Sequence, residues 1–81
     1  LSAAQGDADA QSNLASMYYA GLGVTQDIIR AYMWFYISAA QGNSFSRKYR
    51  DITAQKMTAT TIASAQRMAR TCTQNNYKDC D

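Results

Sequence analysis

The chain has 81 residues, of which 47% are hydrophobic and 17% charged, with no proline and a net charge of +2. This composition indicates one small, ordered, helical domain and excludes a disordered chain. The charge is too small to predict a nucleic acid or an anionic membrane surface as partner, and no apolar run approaches the roughly 20 residues of a membrane span.

One seven-residue sequence motif occurs twice in the chain. Residues 1–7 read LSAAQGD and residues 37–43 read ISAAQGN, so five positions are identical at an offset of 36. Offsets of this size are typical of stacked helical repeats. Each copy has the character of a helix end, a glycine stop and the start of a new helix. We therefore expect residues 7–42 to form one full repeat, residues 1–6 to end a preceding helix, and the chain to be a piece of a longer protein.

The first predicted helix runs from about Ala8 to Ala20. Asp7 or Asp9 can cap it, since either carboxylate can accept hydrogen bonds from the free backbone N–H groups. The helical spacing predicts a buried face made of Ala10, Leu14, Met17 and Tyr18.

The segment Gly21-Leu22-Gly23-Val24 is the predicted turn after this helix. We expect Leu22 or Val24 to turn back into the core, because two glycines that flank an apolar residue favour a tight turn. The short connection predicts that the next helix returns antiparallel.

The second predicted helix runs from Asp27 to about Gln41 and is apolar over most of its surface. Its apolar residues are Ile28, Ala31, Tyr32, Trp34, Phe35, Tyr36 and Ala39. A helix of this kind should be covered on two sides. Its aromatic residues could be a base-stacking platform, but their helical spacing and the lack of interleaved basic residues favour a core.

Residues 43–73 follow the repeat pattern poorly and are predicted to be a degenerate capping helix pair, with a more polar outer face than an internal repeat. The expected inward stripe of the third helix is Phe45, Tyr49, Ile52 and Met57. Thr58 is the predicted cap of a fourth helix from about Ala59 to Thr73. Its inward stripe is Ile62, Ala65, Ala69 and Cys72, and residues 74–81 form a polar tail.

Cys72 and Cys80 are the only cysteines, and the chain has no histidine. These counts argue against a metal site, and the spacing excludes a C-x-x-C redox motif. A disulfide across this short loop would stabilise the fold by roughly 2.6 kcal/mol. We favour that disulfide, and with it a secreted protein or an oxidising compartment such as a bacterial periplasm. The alternative is two reduced thiols in a cytoplasmic protein.

Residues 3–42 resemble a Sel-one-like repeat, a relative of the tetratricopeptide repeat. The resemblance is carried by Ala4, Gly6, Ala10, Leu14, Met17, Tyr18, Gly21, Gly23, Val24, Asp27, Ala31, Trp34, Ala39 and Ala40. It implies an all-α fold, an α/α solenoid of antiparallel helix pairs in a right-handed superhelix, with one full repeat and a degenerate C-terminal capping unit. It also implies an adaptor or scaffold role without a shared catalytic residue. The cysteine spacing resembles cysteine-rich bacterial members, in which such a pair bridges consecutive helices.

The inventory of reactive side chains predicts no enzymatic activity, no cofactor and no metal. Histidine and glutamate are absent, and most of the six aspartates fall at helix starts or in the tail. The chain also lacks a phosphate-binding loop and the S-x-x-K signature of penicillin-recognising enzymes.

The leading functional hypothesis is a protein–protein interaction module, the C-terminal part of a bacterial Sel-one-like repeat scaffold or adaptor. The alternatives are a small secreted or periplasmic inhibitor or immunity-type protein and, disfavoured, a cell-wall or β-lactam-related enzyme. The concave face of such solenoids is lined by the first helix of each pair, which makes Asn13, Ser16, Tyr19 and Lys48 the candidate partner contacts. The cluster at residues 47–50 is either a solvated helix face or a cationic patch for an acidic protein or a cell-wall polymer. The apolar flank of the first helix pair also predicts self-association.

Overall fold

The computed structural model describes residues 3–80, in which a short 3₁₀ turn at Ala3–Gln5 precedes four α-helices. The helices are α1 (Ala8–Ala20), α2 (Ile28–Ala40), α3 (Ser44–Ala54) and α4 (Ala59–Gln74). The prediction of an all-α fold is therefore confirmed. The expected end of a preceding helix is a 3₁₀ turn at Ala3–Gln5, while Leu1 and Ser2 lie outside the described residues.

Each helix begins where a polar side chain accepts hydrogen bonds from backbone N–H groups that have no partner within the helix. At α1 the cap is Asp7, whose Oδ1 accepts from the N–H groups of Asp9 and Ala10 at 2.9 and 3.1 Å. The other caps are Asp27, Asn43 and Thr58. Thr58 and Thr61 form a capping box at the start of α4, in which each hydroxyl accepts a hydrogen bond from the backbone N–H of the other residue.

Helix α2 is the centre of the fold and packs against α1, α3 and α4. It runs antiparallel to α1, as two hydrogen bonds between opposite ends of the helices show. The Ser38 hydroxyl near the end of α2 donates to the Ala8 carbonyl at the start of α1 at 2.7 Å, and the Asp27 N–H before the start of α2 donates to the Tyr18 carbonyl near the end of α1 at 3.0 Å. Its buried residues are Ala31, Tyr32, Met33, Trp34, Phe35, Ile37, Ser38 and Ala39. The predictions that this helix is covered on more than one side and that its aromatic residues form the core are confirmed.

The face that α1 turns towards the core overlaps only in part with the predicted one. The buried residues of α1 are Gln11, Ser12 and Ala15. Leu14 and Tyr18 of the predicted stripe are half-buried and pack against the core, whereas Met17 is exposed. Small and polar side chains lie against α2 because they let the two backbones approach closely, which rotates the apolar stripe towards the edge of the domain.

The buried amide of Gln11 is tolerated because both of its ends have hydrogen-bond partners. Its Nε2 donates to the Ala3 carbonyl at 3.3 Å, and its Oε1 accepts from Gln41 Nε2 at 2.6 Å. Gln11 therefore connects the turn before α1 to the residue that follows α2.

The turn between α1 and α2 leaves its apolar tip outside the core. Leu22 is 66% exposed and Val24 is half-buried, so of the two residues predicted to turn back only Val24 is partly covered. The Leu22 N–H donates to the Met17 carbonyl at 3.0 Å, and Gln26 Nε2 donates to the Tyr19 carbonyl at 2.9 Å. The backbone is therefore held to α1 on both sides of the tip while the Leu22 side chain stays exposed.

The predicted disulfide is confirmed, with the Sγ atoms of Cys72 and Cys80 2.06 Å apart. It joins the end of α4 to the tail, whereas the family resemblance implied a bridge between consecutive helices. The tail turns back so far that the Tyr77 ring lies against Gly6, where an added Cβ would be 2.9 Å from Tyr77 Cε2. The last described residues therefore pack on the turn before α1.

The predicted inward stripe of α4 is confirmed at three of its four positions. Ala65, Ala69 and Cys72 are buried and Ile62 is half-buried. Among residues 3–80, no helix is long and apolar enough to cross a membrane.

Candidate interaction surface

Three aromatic side chains form a row where α1 and α3 adjoin. Phe45 and Tyr49 stack with their ring centroids 4.5 Å apart, and Tyr19 meets Tyr49 edge-on at 6.2 Å. All three lie over Phe35, whose centroid is 6.3, 5.9 and 6.5 Å from those of Phe45, Tyr49 and Tyr19. We call Phe45, Tyr49 and Tyr19 the aromatic row, and Phe35 is its buried floor.

The local sequence explains how the aromatic row is assembled. Phe45 and Tyr49 are four residues apart on α3, which places their side chains one above the other on the same helix face. The start of α3 is held to α1 because Asn43 Nδ2 donates to Asp9 Oδ1 at 3.0 Å. This bond brings the aromatic face of α3 beside Tyr19 near the end of α1.

The aromatic row is partly open to solvent. Phe45 is 48% exposed, whereas its floor Phe35 is only 1% exposed. The prediction that Phe45 points inward is therefore wrong. The buried residues of α3 are Ser46 and Thr53 instead, because these small side chains let α3 approach α2 and turn Phe45 towards the edge.

Two lysines flank the aromatic row. Lys48 Nζ lies 5.9 Å from the centroid of the Tyr49 ring, and Lys56 Nζ lies 5.9 Å from the centroid of the Tyr19 ring. Both distances are within the range of a cation–π contact. The surface thus combines exposed aromatic area with two ammonium groups.

Positive charge is concentrated in this part of the chain. Residues 44–57 carry four cations and one anion, although the whole chain has a net charge of only +2. The cations are Arg47, Lys48, Arg50 and Lys56, and the anion is Asp51. The positive potential of the protein is therefore centred on α3 and the turn that follows it.

The four predicted contact residues fall into two groups. Tyr19 and Lys48 belong to the aromatic row and its cationic border. Asn13 is exposed on α1, and Ser16 is half-buried with its hydroxyl donating to the Ser12 carbonyl at 3.0 Å. Within residues 3–80 neither Asn13 nor Ser16 makes a hydrogen bond or ring contact with the row.

The predicted contacts do not include Phe45 or Lys56. The sequence pattern places Phe45 and Tyr49 on an inward stripe, which the half-buried Tyr49 follows and the exposed Phe45 does not. A signal was present, because an aromatic pair spaced by four residues alternates here with Arg47 and Lys48. That signal does not reveal which side of α3 faces α2.

Two shallow grooves lie elsewhere on the described part of the chain. One of about 440 Å3 runs between α2 and α4 and includes Tyr36, Arg70 and Tyr77 in its lining. The other, of about 410 Å3, lies beside the disulfide and includes Met33 and Met68. Residues 3–80 bring together no group of three or more histidine, cysteine, aspartate or glutamate side chains that could hold a metal ion.

Comparison with known proteins identifies the unit that carries α1 and α2. The Sel1 repeat family model matches residues 8–43, a span that ends at the Asn43 cap of α3. No curated protein and no solved structure matches the chain significantly. Residues 8–43 therefore form a Sel1 repeat.

Proposed function

We propose that this chain is a protein–protein interaction module and forms the C-terminal part of a bacterial Sel1 repeat scaffold or adaptor. Sel1 repeats are helical repeats that mediate protein interactions. The observation that carries the proposal is the aromatic row, in which Phe45 remains 48% exposed above a buried floor.

The aromatic row has the properties of a binding hot spot. Aromatic residues are enriched among the few side chains that dominate protein–protein affinity, since they bury much apolar area with little loss of conformational entropy. Here Phe35 supports the ring of Phe45 from below, so that a partner would meet a surface that is already ordered. Little further ordering would then oppose binding.

Asn13 and Ser16 remain proposed contacts on the α1 side of this surface. Asn13 is exposed and can donate and accept hydrogen bonds through its side-chain amide. A partner that covers the aromatic row, and with it Tyr19, and continues along α1 would reach Asn13, with Lys48 as a contact on the α3 side. We expect Asn13, Ser16 and Lys48 to form a polar rim around the aromatic centre.

The disulfide supports a periplasmic or secreted location. Disulfides persist in oxidising compartments and are rare in the cytoplasm of mesophiles. It also favours a second candidate function, a small secreted or periplasmic inhibitor or immunity-type protein that uses the same surface to block one enzyme. The two candidates differ in what they bind: components of an assembly or a single hydrolase.

Site-specific photocrosslinking in cells of the source organism tests the proposal. The photoreactive amino acid p-benzoylphenylalanine replaces Phe45 in one variant and the exposed Arg67 of α4 in a matched control. We expect a discrete crosslinked polypeptide from position 45 that is absent from position 67 and is identified by mass spectrometry. Identical products from both positions, or no product from position 45, would contradict a binding role for this surface.

A further inference from the structure

We propose that the aromatic row binds an acidic polypeptide segment that places an apolar side chain on Phe45 and carboxylates at Lys48 and Lys56. This inference rests on the proposed function and specifies the chemistry of the partner. It follows from three properties of the surface: its unpaired charges, its spacing and the orientation of its rings.

The two lysines beside the aromatic row have no carboxylate partner within residues 3–80. The ion pairs in that part of the chain are Arg30 with Asp27 at 3.2 Å and Arg50 with Asp51 at 3.0 Å. Lys48 and Lys56 therefore have no carboxylate partner among the described residues. Two unpaired ammonium groups beside exposed apolar area are complementary to a segment that carries both carboxylates and an apolar side chain.

The spacing of the row suits an extended segment. Neighbouring rings are 4.5 and 6.2 Å apart, and each of the second and third rings has a lysine beside it. Alternate side chains of an extended chain share one face and are about 6.6 Å apart. A segment of the pattern apolar–x–acidic–x–acidic presents one apolar and two acidic side chains on the same face, the set of groups that Phe45, Lys48 and Lys56 would bind.

The orientation of the rings favours a polypeptide over a single-stranded nucleic acid. Successive bases stack on open ring faces. In this row one face of Phe45 is already stacked on Tyr49 at an interplanar angle of 26°, and Tyr19 is turned 83° from Tyr49. The rings therefore present edges and one open side of Phe45, which suits an apolar side chain better than a run of bases.

Titration of the isotope-labelled full chain by two-dimensional NMR tests the inference. The probe is the synthetic peptide acetyl-Ser-Phe-Ser-Asp-Ser-Asp-Ser-amide. Its matched controls replace both aspartates by asparagine, or the phenylalanine by serine. We expect shifts confined to residues near Tyr19 and within 44–57, with a Kd of about 1 mM or below, the affinity range of one ring contact and two exposed charges. We expect either control peptide to bind about tenfold more weakly.

Charge variants test which lysines are used. The double variant Lys48→Gln/Lys56→Gln should weaken binding of the acidic peptide about tenfold. The double variant Arg70→Gln/Lys78→Gln removes the same charge from α4 and the tail and should leave the Kd within about twofold, since charges beyond a Debye length are screened. The NMR spectrum of each variant also shows whether it is folded.

Four results would overturn the inference. The first is the absence of shifts with the acidic peptide at concentrations up to about 2 mM, twice the highest expected Kd. The second is equal binding of the asparagine control peptide, and the third is an equal loss of binding affinity in the two double variants. The fourth is tighter binding of oligothymidylate at the same residues. If these occur while photocrosslinking at position 45 still captures a polypeptide, the proposed function stands and only the partner class is wrong. If photocrosslinking fails as well, the proposed function is also wrong.

Discussion

The two glycines of the repeated motif, Gly6 and Gly42, provide a matched pair of substitutions. Gly6 and Gly42 both have positive φ, +86° and +95°. A Cβ added at Gly6 would lie 2.9 Å from Tyr77 Cε2, whereas a Cβ added at Gly42 would meet no atom within 4 Å. Alanine therefore strains the backbone at both positions but collides with a side chain only at Gly6.

The expected magnitudes follow from these two contributions. An L-residue in the left-handed region costs about 1–2 kcal/mol, partly offset by about 0.4–1 kcal/mol from the reduced entropy of the unfolded chain. Gly42→Ala should therefore lower the free energy of unfolding by about 1 kcal/mol. Gly6→Ala should cost about 1–2 kcal/mol more, in the range of other overpacked sites. The disulfide closes the loop that carries Tyr77 and so limits how far the backbone of Tyr77 can move from Gly6.

Urea denaturation followed by circular dichroism at 222 nm measures both variants. We expect Gly6→Ala to be less stable than Gly42→Ala, and we expect the difference to disappear when Tyr77→Ala is added to each. Equal stabilities within about 0.3 kcal/mol, the usual error of additivity, would show that Tyr77 does not restrict Gly6. A difference that persists without the Tyr77 ring would refute the steric explanation.

Four further predictions concern the disulfide, the aromatic residues, a buried hydroxyl and the state of association. Without reductant, mass spectrometry should find no alkylated thiol, and the Cys72→Ser/Cys80→Ser variant should lose about 2.6 kcal/mol of stability; two alkylated cysteines would contradict the oxidising compartment. Phe35→Ala should cost about 3–5 kcal/mol in urea denaturation, but Phe45→Ala less than about 1 kcal/mol, and similar costs would show that the aromatic row is part of the core. Ser46→Ala should leave stability unchanged or raise it by up to about 1 kcal/mol, because the buried Ser46 hydroxyl has no hydrogen-bond partner among residues 3–80; a clear loss would reveal such a partner. The half-exposed apolar face of α1 should cause self-association, and light scattering from a monomer at high concentration would count against it.

The helices and their starting points could be predicted from the sequence because the interactions that set them are local. Asp27 and Thr58 cap α2 and α4 by accepting hydrogen bonds from backbone N–H groups only three residues further along the chain. The breadth of the apolar surface on α2 also identified the central helix, since a helix apolar on most sides must be buried on most sides.

The faces of α1 and α3 could not be predicted in the same way. Hydrophobic periodicity predicts Met17 and Phe45 in the core, but close approach to α2 favours small residues such as Ala15 and Ser46 at the contacts. Gln11 is buried because its hydrogen-bond partners arrive from distant positions, one of them 30 residues away. Periodicity describes side chains by hydrophobicity alone, so it cannot anticipate such a contact.

The candidate surface was only partly visible in the sequence for the same reason. The repeat geometry predicts Tyr19 and Lys48 as contacts, while the exposure of Phe45 and the position of Lys56 beside Tyr19 depend on how α3 packs against α2. A rotation of α3 by one residue decides whether Phe45 is core or surface. That rotation depends on how the side chains of α2 and α3 fit together, so it cannot be predicted from the sequence of either helix alone.

The repeated motif shows which features the sequence determines and which depend on tertiary structure. By itself the sequence determined that each copy holds a glycine stop followed by the start of a helix, because glycine with positive φ and a following Asp7 or Asn43 cap act over a few residues. Only the tertiary structure decided that the two copies have different surroundings, with Tyr77 against Gly6 and open space at Gly42. The physical reason is range: caps and turns are local interactions, whereas the contact at Gly6 depends on where the fold brings a residue more than 70 positions away.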